Sequence, residues 1–508
     1  MAKFSNHFLN INNKIIKTLP FLILFFYIFF AFKFNQYEII FMDERIIIDD
    51  IYNVWLFDDV FNRFINIENN FFKKILIFLT EFSYGGDLRY GRLWSNIFTL
   101  IIGPFSLISD QATITAARIF NITILAYVFY FLAKTFLDKK YLWISLITFY
   151  SLPGVEFLNR FPKPETFALL FMAIGLYYLK NKKYYFSLTS LFIASFLKIN
   201  FILVLFVVLM FIFRTYSNKL ELITRTFFIS IFSLLFVNPI LILPPVNIFG
   251  LKIPNFYSKY ITWLISQGSY GQENVFSFSH TVLWSKTISA FYSIPTYLNF
   301  LFLLLLIVIV VLVSKKSILK EDSYSLLFIS IFIIYMLFYM FLIERQFIWY
   351  INLPFIFLVL AIYRNLEKIN LKDNLVIFFL VFISISGLTN NVFEHNKEKK
   401  FIPNHQYGYA GILSVEEAID GVDKTVDEIK KIYMSNENLN FKTVYWDPNL
   451  FIPRNGVTYY EDFYIREYWD SKEIDEILNE SDIYVTYENI QIDGINKKEA
   501  GSYVLYYK

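Results

Sequence analysis

ITAARIFNITILAYVFYFLAKTF, residues 114–136, followed by Leu137, Asp138, Lys139 and Lys140, decides the fold. The run holds two charges, Arg118 and Lys134, and closes on a pair of lysines. A helix rises about 1.5 Å per residue, so a run of this length spans the roughly 30 Å hydrocarbon core of a bilayer. A basic pair directly behind it is what the cytoplasmic end of a span carries.

The rest of the chain repeats the pattern. It has 508 residues, 56% hydrophobic and 18% charged, with mean hydropathy +0.47. A soluble protein sits near one-quarter charged. Phe 61 and Tyr 37 are inflated together with Ile, Asn and Lys, as an AT-rich genome would do, but base composition does not create long charge-free runs. Apolar runs long enough to span lie at 18–34, 114–136, 141–158, 164–181, 184–198, 199–214, 223–243, 291–314, 323–343, 346–363 and 374–390. They predict a mainly α, polytopic helix bundle of about eleven spans. No small-residue cleavage site follows the first run, which reads as a retained span and not a signal peptide. Lys198 interrupts 184–214, and two short helices fit a bilayer better than one long one.

Loop charges alternate. Lys3, Lys14 and Lys17, then Lys139 and Lys140, Lys180, Lys182 and Lys183, Arg214 and Lys219, Lys315, Lys316 and Lys320, and Arg364, Lys368 and Lys372 fall on one side. The positive-inside rule makes that side cytoplasmic, with the N-terminus. Segments 35–113, 244–290 and 391–508 then face outward. The apolar stretch 93–109 is short and holds Gly103 and Pro104. Counting it as a span would invert every later loop, so it reads as an interfacial helix. Residues 1–390 form the membrane domain. Residues 391–508 read as a small α/β or α+β extracytoplasmic domain, with helices at 415–433 and 474–479 and strands at 442–446, 482–487 and 502–507.

Cysteine is absent, which excludes disulfides, zinc thiolates and thiol nucleophiles. Net charge +3 indicates no particular partner, and nothing points to nucleic acid. The outward loops carry the chemistry. FMDERIIIDD (41–50) places Asp43 and Glu44 just beyond the first span; they are either a solvated helix flank or a catalytic carboxylate pair. RYGRLW (89–94) offers Arg89 and Arg92, suited to snorkelling or to a lipid phosphate. NRFPKPET (159–166) is a Pro-clamped turn with Arg160, Lys163 and Glu165. Lys198 is a lone cation in a tight turn between spans, which calls for a partner. Glu344 and Arg345 enter a late span, where a local ion pair is the bland reading. One side thus collects carboxylates, able to take a proton from a hydroxyl, and cations, able to stabilise a departing phosphate.

Five stretches together resemble the GT-C glycosyltransferases, most closely the branch with protein O-mannosyltransferases and the aminoarabinose transferase of lipid A. They are MDE (42–44), AARIFNITILAYVFYFLAKTFLDKKY (116–141), SLPGVEFLNRFPKPETFALLFMAIGLYYL (151–179), ASFLKINFILVL (194–205) and ERQFIWYINLPFIFLVLAIY (344–363). Lys163 stands where that family more often has Arg, and no WWDYG occurs, which argues against an oligosaccharyltransferase. The resemblance implies an integral protein of a bacterial inner membrane. Its donor would be a polyprenyl-phosphate sugar, its acceptor a glycan, lipid or protein on the outer face. Asp43 would be the general base with Glu44 in support. Arg89, Arg92, Arg160, Lys163, Lys198 and Arg345 would be candidates for the donor phosphate, and Glu165 would support them. No cofactor is required, although the two acids could hold a divalent cation. A transporter or flippase of lipid-linked saccharides is the alternative.

Overall fold

In a computed structural model, the residues described are 13–34, 47, 51, 55, 92–108, 110–152, 155, 162–238, 246–248, 251–253, 323–341, 348–369, 384, 415–436, 439, 442–446, 463–467, 473–486, 491–501 and 503–508. Their elements fall into two compact units, one mainly helical and one built on a small sheet.

The helical unit contains α1 (Asn13–Phe34), α2 (Arg92–Ile102), α3 (Asp110–Phe136), α4 (Lys139–Tyr150), α5 (Pro164–Lys180), α6 (Tyr184–Leu197), α7 (Ile202–Thr215), α8 (Lys219–Val237), α9 (Ser323–Phe341) and α10 (Ile348–Ile369). Among the described residues, two helices are long and apolar enough to cross a membrane alone, Ala112–Phe136 and Lys219–Val237. Helices also occupy most of the other apolar runs, several of them shorter than expected, so the described residues establish a mainly helical unit and not the full number of spans. The runs at 291–314 and, apart from Ser384, 374–390 lie outside the described residues. A two-stranded hairpin, β1 (Val246–Ile248) with β2 (Leu251–Ile253), falls in the loop expected at 244–290.

Prolines set several helix ends. The apolar run at 141–158 gives a helix of only 12 residues, because Pro153 disfavours the helical conformation of the residue before it. Pro239 likewise stops α8 at Asn238 (φ −127°, ψ 73°). The chain breaks at Lys198, which is extended (φ −150°, ψ 117°), and a 3-10 turn at Ile199–Phe201 leads into α7. The two-helix reading of this region therefore holds.

Helix ends that carry basic residues meet. Arg364 at the end of α10 donates to the Phe136 carbonyl at the end of α3, 2.8 Å away. Tyr324 at the start of α9 donates to the Leu179 carbonyl near the end of α5, and Lys180 reaches the Thr135 carbonyl. Farther along, Thr148 on α4 shares hydrogen bonds with the Tyr363 hydroxyl at 2.7 Å and with Ser384 at 2.8 Å, a buried hydroxyl cluster between elements far apart in sequence. Tyr27 of α1 stacks on Tyr150 of α4, with ring centroids 3.6 Å apart.

The second unit has strand order β4-β3-β5-β7-β6, where β3 is Thr443–Trp446, β4 Tyr464–Glu467, β5 Ile483–Thr486, β6 Asn496–Ala500 and β7 Tyr503–Tyr507. β4, β3 and β5 are parallel; β7 and β6 run antiparallel. Helix α11 (Val415–Ser435) covers one face: its Val426, Ile429 and Ile432 join Val444, Trp446, Ile483, Tyr503 and Leu505 in one core. The short α12 (Ile474–Ile477) covers the other, where Ile474 and Leu478 pack against Val504 and Tyr506. Both faces are thus closed, and all four residues of the interior strand β3 are buried.

Candidate functional site

The turn before α5 is written in its sequence. Pro164 forces the residue before it out of the helical region, and Lys163 is extended (φ −138°, ψ 147°). Pro164 itself takes the first helical position, where its missing N–H costs nothing. Glu165 follows in the first turn, where the positive end of the helix dipole favours a carboxylate. α6 packs on α5 and ends at Lys198, where the negative end favours a cation. The two ends meet: Lys198 Nζ lies 2.8 Å from Glu165 Oε1. Both are nearly enclosed, at 8% and 5% exposure, and Lys163 is fully buried. The partner that the Lys198 position called for is Glu165.

Helix α2 closes the same end. It lies where the interfacial helix was expected, and a 3-10 turn, Gly103–Leu107, follows it. Phe98 on its buried face packs against Phe120 of α3 at 5.2 Å and Phe167 of α5 at 5.5 Å. Arg92, Ser95, Asn96 and Thr99 are buried on α2, and Thr113, Arg118 and Asn121 on α3. Arg92 Nη1 donates to Ser95 at 3.3 Å. Lys198 thus pairs with Glu165, two residues from buried Lys163, and buried Arg92 and Arg118 lie on α2 and α3, the helices that meet α5 through the aromatic triad.

Buried polar atoms also lie on these elements, on α2, α5 and the 3-10 turn before α7. Asn96 Oδ1, Thr99 Oγ1, Thr166 Oγ1 and Asn200 Nδ2 are shielded from solvent and make no hydrogen bond among the described residues. Buried polar groups are bonded in the great majority of cases, so an array of this kind suits a polar ligand. The Asn200 carbonyl accepts from Tyr335 of α9 at 2.6 Å.

Of the sequence candidates, Lys198 and Glu165 meet and Lys163 lies two residues from Glu165, while Arg92 is buried on α2. Asp43, Glu44, Arg89, Arg160 and Arg345 lie outside the described residues. Arg118 had no role in the sequence reading; the signal was a charge early in a long apolar run, which in a membrane protein marks a functional candidate. Among the described residues no three His, Cys, Asp or Glu side chains form a metal-binding group. Comparisons with protein-family models, with curated proteins and with solved structures find no match to this chain.

Proposed function

We propose that the protein is a multi-pass membrane glycosyltransferase of GT-C type, with about eleven spans, an N-terminus in the cytoplasm and an extracytoplasmic C-terminal domain. It moves a sugar from a polyprenyl-phosphate carrier to an acceptor hydroxyl or amine at the outer face. The observation that carries the reading is the buried Lys198–Glu165 pair next to buried Lys163, with buried Arg92 and Arg118 on the two helices that pack against the start of α5. The meeting of basic helix ends elsewhere in the unit is consistent with loops that alternate across the bilayer.

In the proposed step the acceptor heteroatom bonds to the anomeric carbon as the bond from that carbon to the phosphate oxygen breaks. The proton passes to Asp43, with Glu44 in support. The polyprenyl phosphate leaves with the electron pair, and Arg92, Lys163 and Lys198, together with Arg89, Arg160 and Arg345, stabilise its charge. The leaving group is already acidic, so no second carboxyl group is needed to protonate it. Arg118 joins the phosphate set on grounds of placement. The Lys198–Glu165 pair holds the lysine at the junction of two helices.

The test is release of polyprenyl phosphate by the purified protein in lipid, given a panel of polyprenyl-phosphate sugars and a crude acceptor extract. One donor should turn over. Asp43→Asn should abolish release, and Lys198→Gln should lower it by about a hundredfold, the scale of losing one charge-stabilising donor. Equal turnover in native and Asp43→Asn protein would move the base elsewhere. Passage of intact donor across the bilayer without cleavage would mark a flippase.

A further inference from the structure

We propose that the two adjoining basic turns, α5–α6 and α7–α8, form a site for the headgroup of an anionic phospholipid. The proposal rests on the membrane part of the reading above and not on glycosyl transfer.

The turns abut. Tyr184, directly after the first turn, has its ring 6.1 Å from that of Tyr216 in the second. The hydroxyls of Tyr185 and Tyr216 are 2.7 Å apart, and Tyr185 also donates to Glu221 Oε1 at 3.2 Å. Most charge here is already engaged within the protein. Glu221 receives Arg225 Nη2 at 2.8 Å and Asn218 Nδ2 at 3.3 Å. Lys219 folds onto the carbonyls of Phe213 and Tyr216, and Lys180 onto that of Thr135. Lys182, Lys183 and Arg214 remain: all three are exposed, and none of their side chains has a hydrogen bond or ion pair among the described residues.

Lys182 carries a second, independent signal. It closes α5 in the left-handed conformation, φ 58°. Its N–H donates to the Leu179 carbonyl and that of Lys183 to the Tyr178 carbonyl. Glycine is the usual residue there, since a Cβ is strained in that conformation. A lysine at this position keeps a cation where the backbone disfavours any side chain. The negative end of α5 does favour a cation, but Lys180 and Lys183 already supply that.

The surroundings select a lipid over a free phosphate. Phe186, Leu220 and Ile223 flank the turns and are exposed, and along the chain Tyr184 and Tyr185 stand between Lys183 and Phe186, and Tyr216 between Arg214 and Leu220. Apolar side chains, aromatic rings and cations in succession match acyl chain, interface and headgroup.

The test begins with alkaline-washed membranes carrying the full chain. Release of the chain would overturn the membrane reading, and this site with it. With the chain retained, thermal midpoints are measured in phosphatidylcholine bilayers with and without phosphatidylglycerol, and bound phosphatidylglycerol is counted by native mass spectrometry. The native protein should be stabilised by phosphatidylglycerol. The triple variant Lys182→Gln, Lys183→Gln, Arg214→Gln should bind it about a hundredfold more weakly, from the contribution of each basic residue near a membrane surface. Lys182→Gly should raise the midpoint in phosphatidylcholine, by relieving strain, while weakening phosphatidylglycerol binding about fivefold. A triple variant that keeps the native phosphatidylglycerol shift would overturn the site. So would a Lys182→Gly midpoint that rises equally in both bilayers, or full reproduction of the shift by soluble glycerol phosphate.

Discussion

Glu165 and Lys198 show how a buried ion pair can follow from helix ends alone. Each sits where its own helix dipole favours its charge, and antiparallel packing brings the ends together. Removing one partner strands the other, so Glu165→Gln should destabilise the helical unit by about 3–5 kcal/mol. The double change Glu165→Gln, Lys198→Met should cost clearly less. Unfolding of the four proteins of the cycle in detergent would show it, and equal losses in the single and double variants would mean the pair is not what holds the junction. Half of this pair was legible in the sequence. Lys198 had to break an apolar run too long for one span, and Pro164 had to extend Lys163. The link to Glu165 was not legible, because it joins different helices and leaves no local periodicity. In the sheet-containing unit, Glu428 accepts from Lys431 at 2.6 Å and also meets Lys498 of β6. The hydrogen bond from Lys431, then that from Lys498, holds its carboxyl below the usual range. The unfolded chain takes up this proton first as pH falls, so the contribution is complete above the ordinary glutamate value of about 4.3. It is lost as pH drops through the lower folded value. Hydrogen exchange of residues 496–507 should accelerate in that acid window relative to Glu428→Gln, whose own acid sensitivity there should be smaller.

At the scale of the element, α2 and its 3-10 turn depend on one close approach. Trp55 donates to the Thr99 carbonyl at 2.8 Å, and its indole lies against Gly103, where an added Cβ would come within 1.8 Å of Nε1. Gly103→Ala should therefore cost at least about 1–3 kcal/mol, the usual range for overpacking. Adding Trp55→Ala should recover part of the steric loss, as a thermal unfolding series would detect. The helix itself was legible from its length and from the charge alternation it would otherwise break; the tryptophan beneath the glycine was not. The strands divide in the same way. β3, β5 and β7 are apolar and sit inside the sheet, and the sequence marked them. β6, Asn-Lys-Lys-Glu-Ala, is an edge strand whose lysines guard an open ladder, so it lacks the apolar signature of a strand. Its turn into β7 uses Gly501 at φ 61°, which suits a tight hairpin. β4 is the opposite edge and was missed for the same reason. The apolar run at 141–158 was overestimated because hydropathy ignores what Pro153 does to the backbone.

At the scale of the whole molecule, the absence of cysteine makes the proposed topology directly testable. Any introduced thiol is the sole reactive site. Lys182→Cys should react with a membrane-impermeant maleimide only from the cytoplasmic face, in inverted vesicles. Met434→Cys, at a position 81% exposed on α11, should react in intact cells or spheroplasts. Labelling of both from one face would overturn the alternation of loops and the outward placement of the C-terminal domain. The mainly helical class was legible because long apolar runs favour helices, and among the described residues two of those helices are long and apolar enough to cross a membrane. The candidate site was only partly legible, because its members come from helices separated by scores of residues.

Strand order in the small sheet does not follow chain order, and this has a consequence in time. β7 is synthesised after β6, yet it lies between β5 and β6. Until residues 503–507 emerge, β6 has nothing to pair with, Ile429 and Ile432 of α11 lack Tyr503 and Leu505 beneath them, and β5 presents a raw apolar edge. A nascent chain paused in that interval would expose an adhesive strand. Among the five described strands, closure of the β5 edge and pairing of β6 both wait on β7.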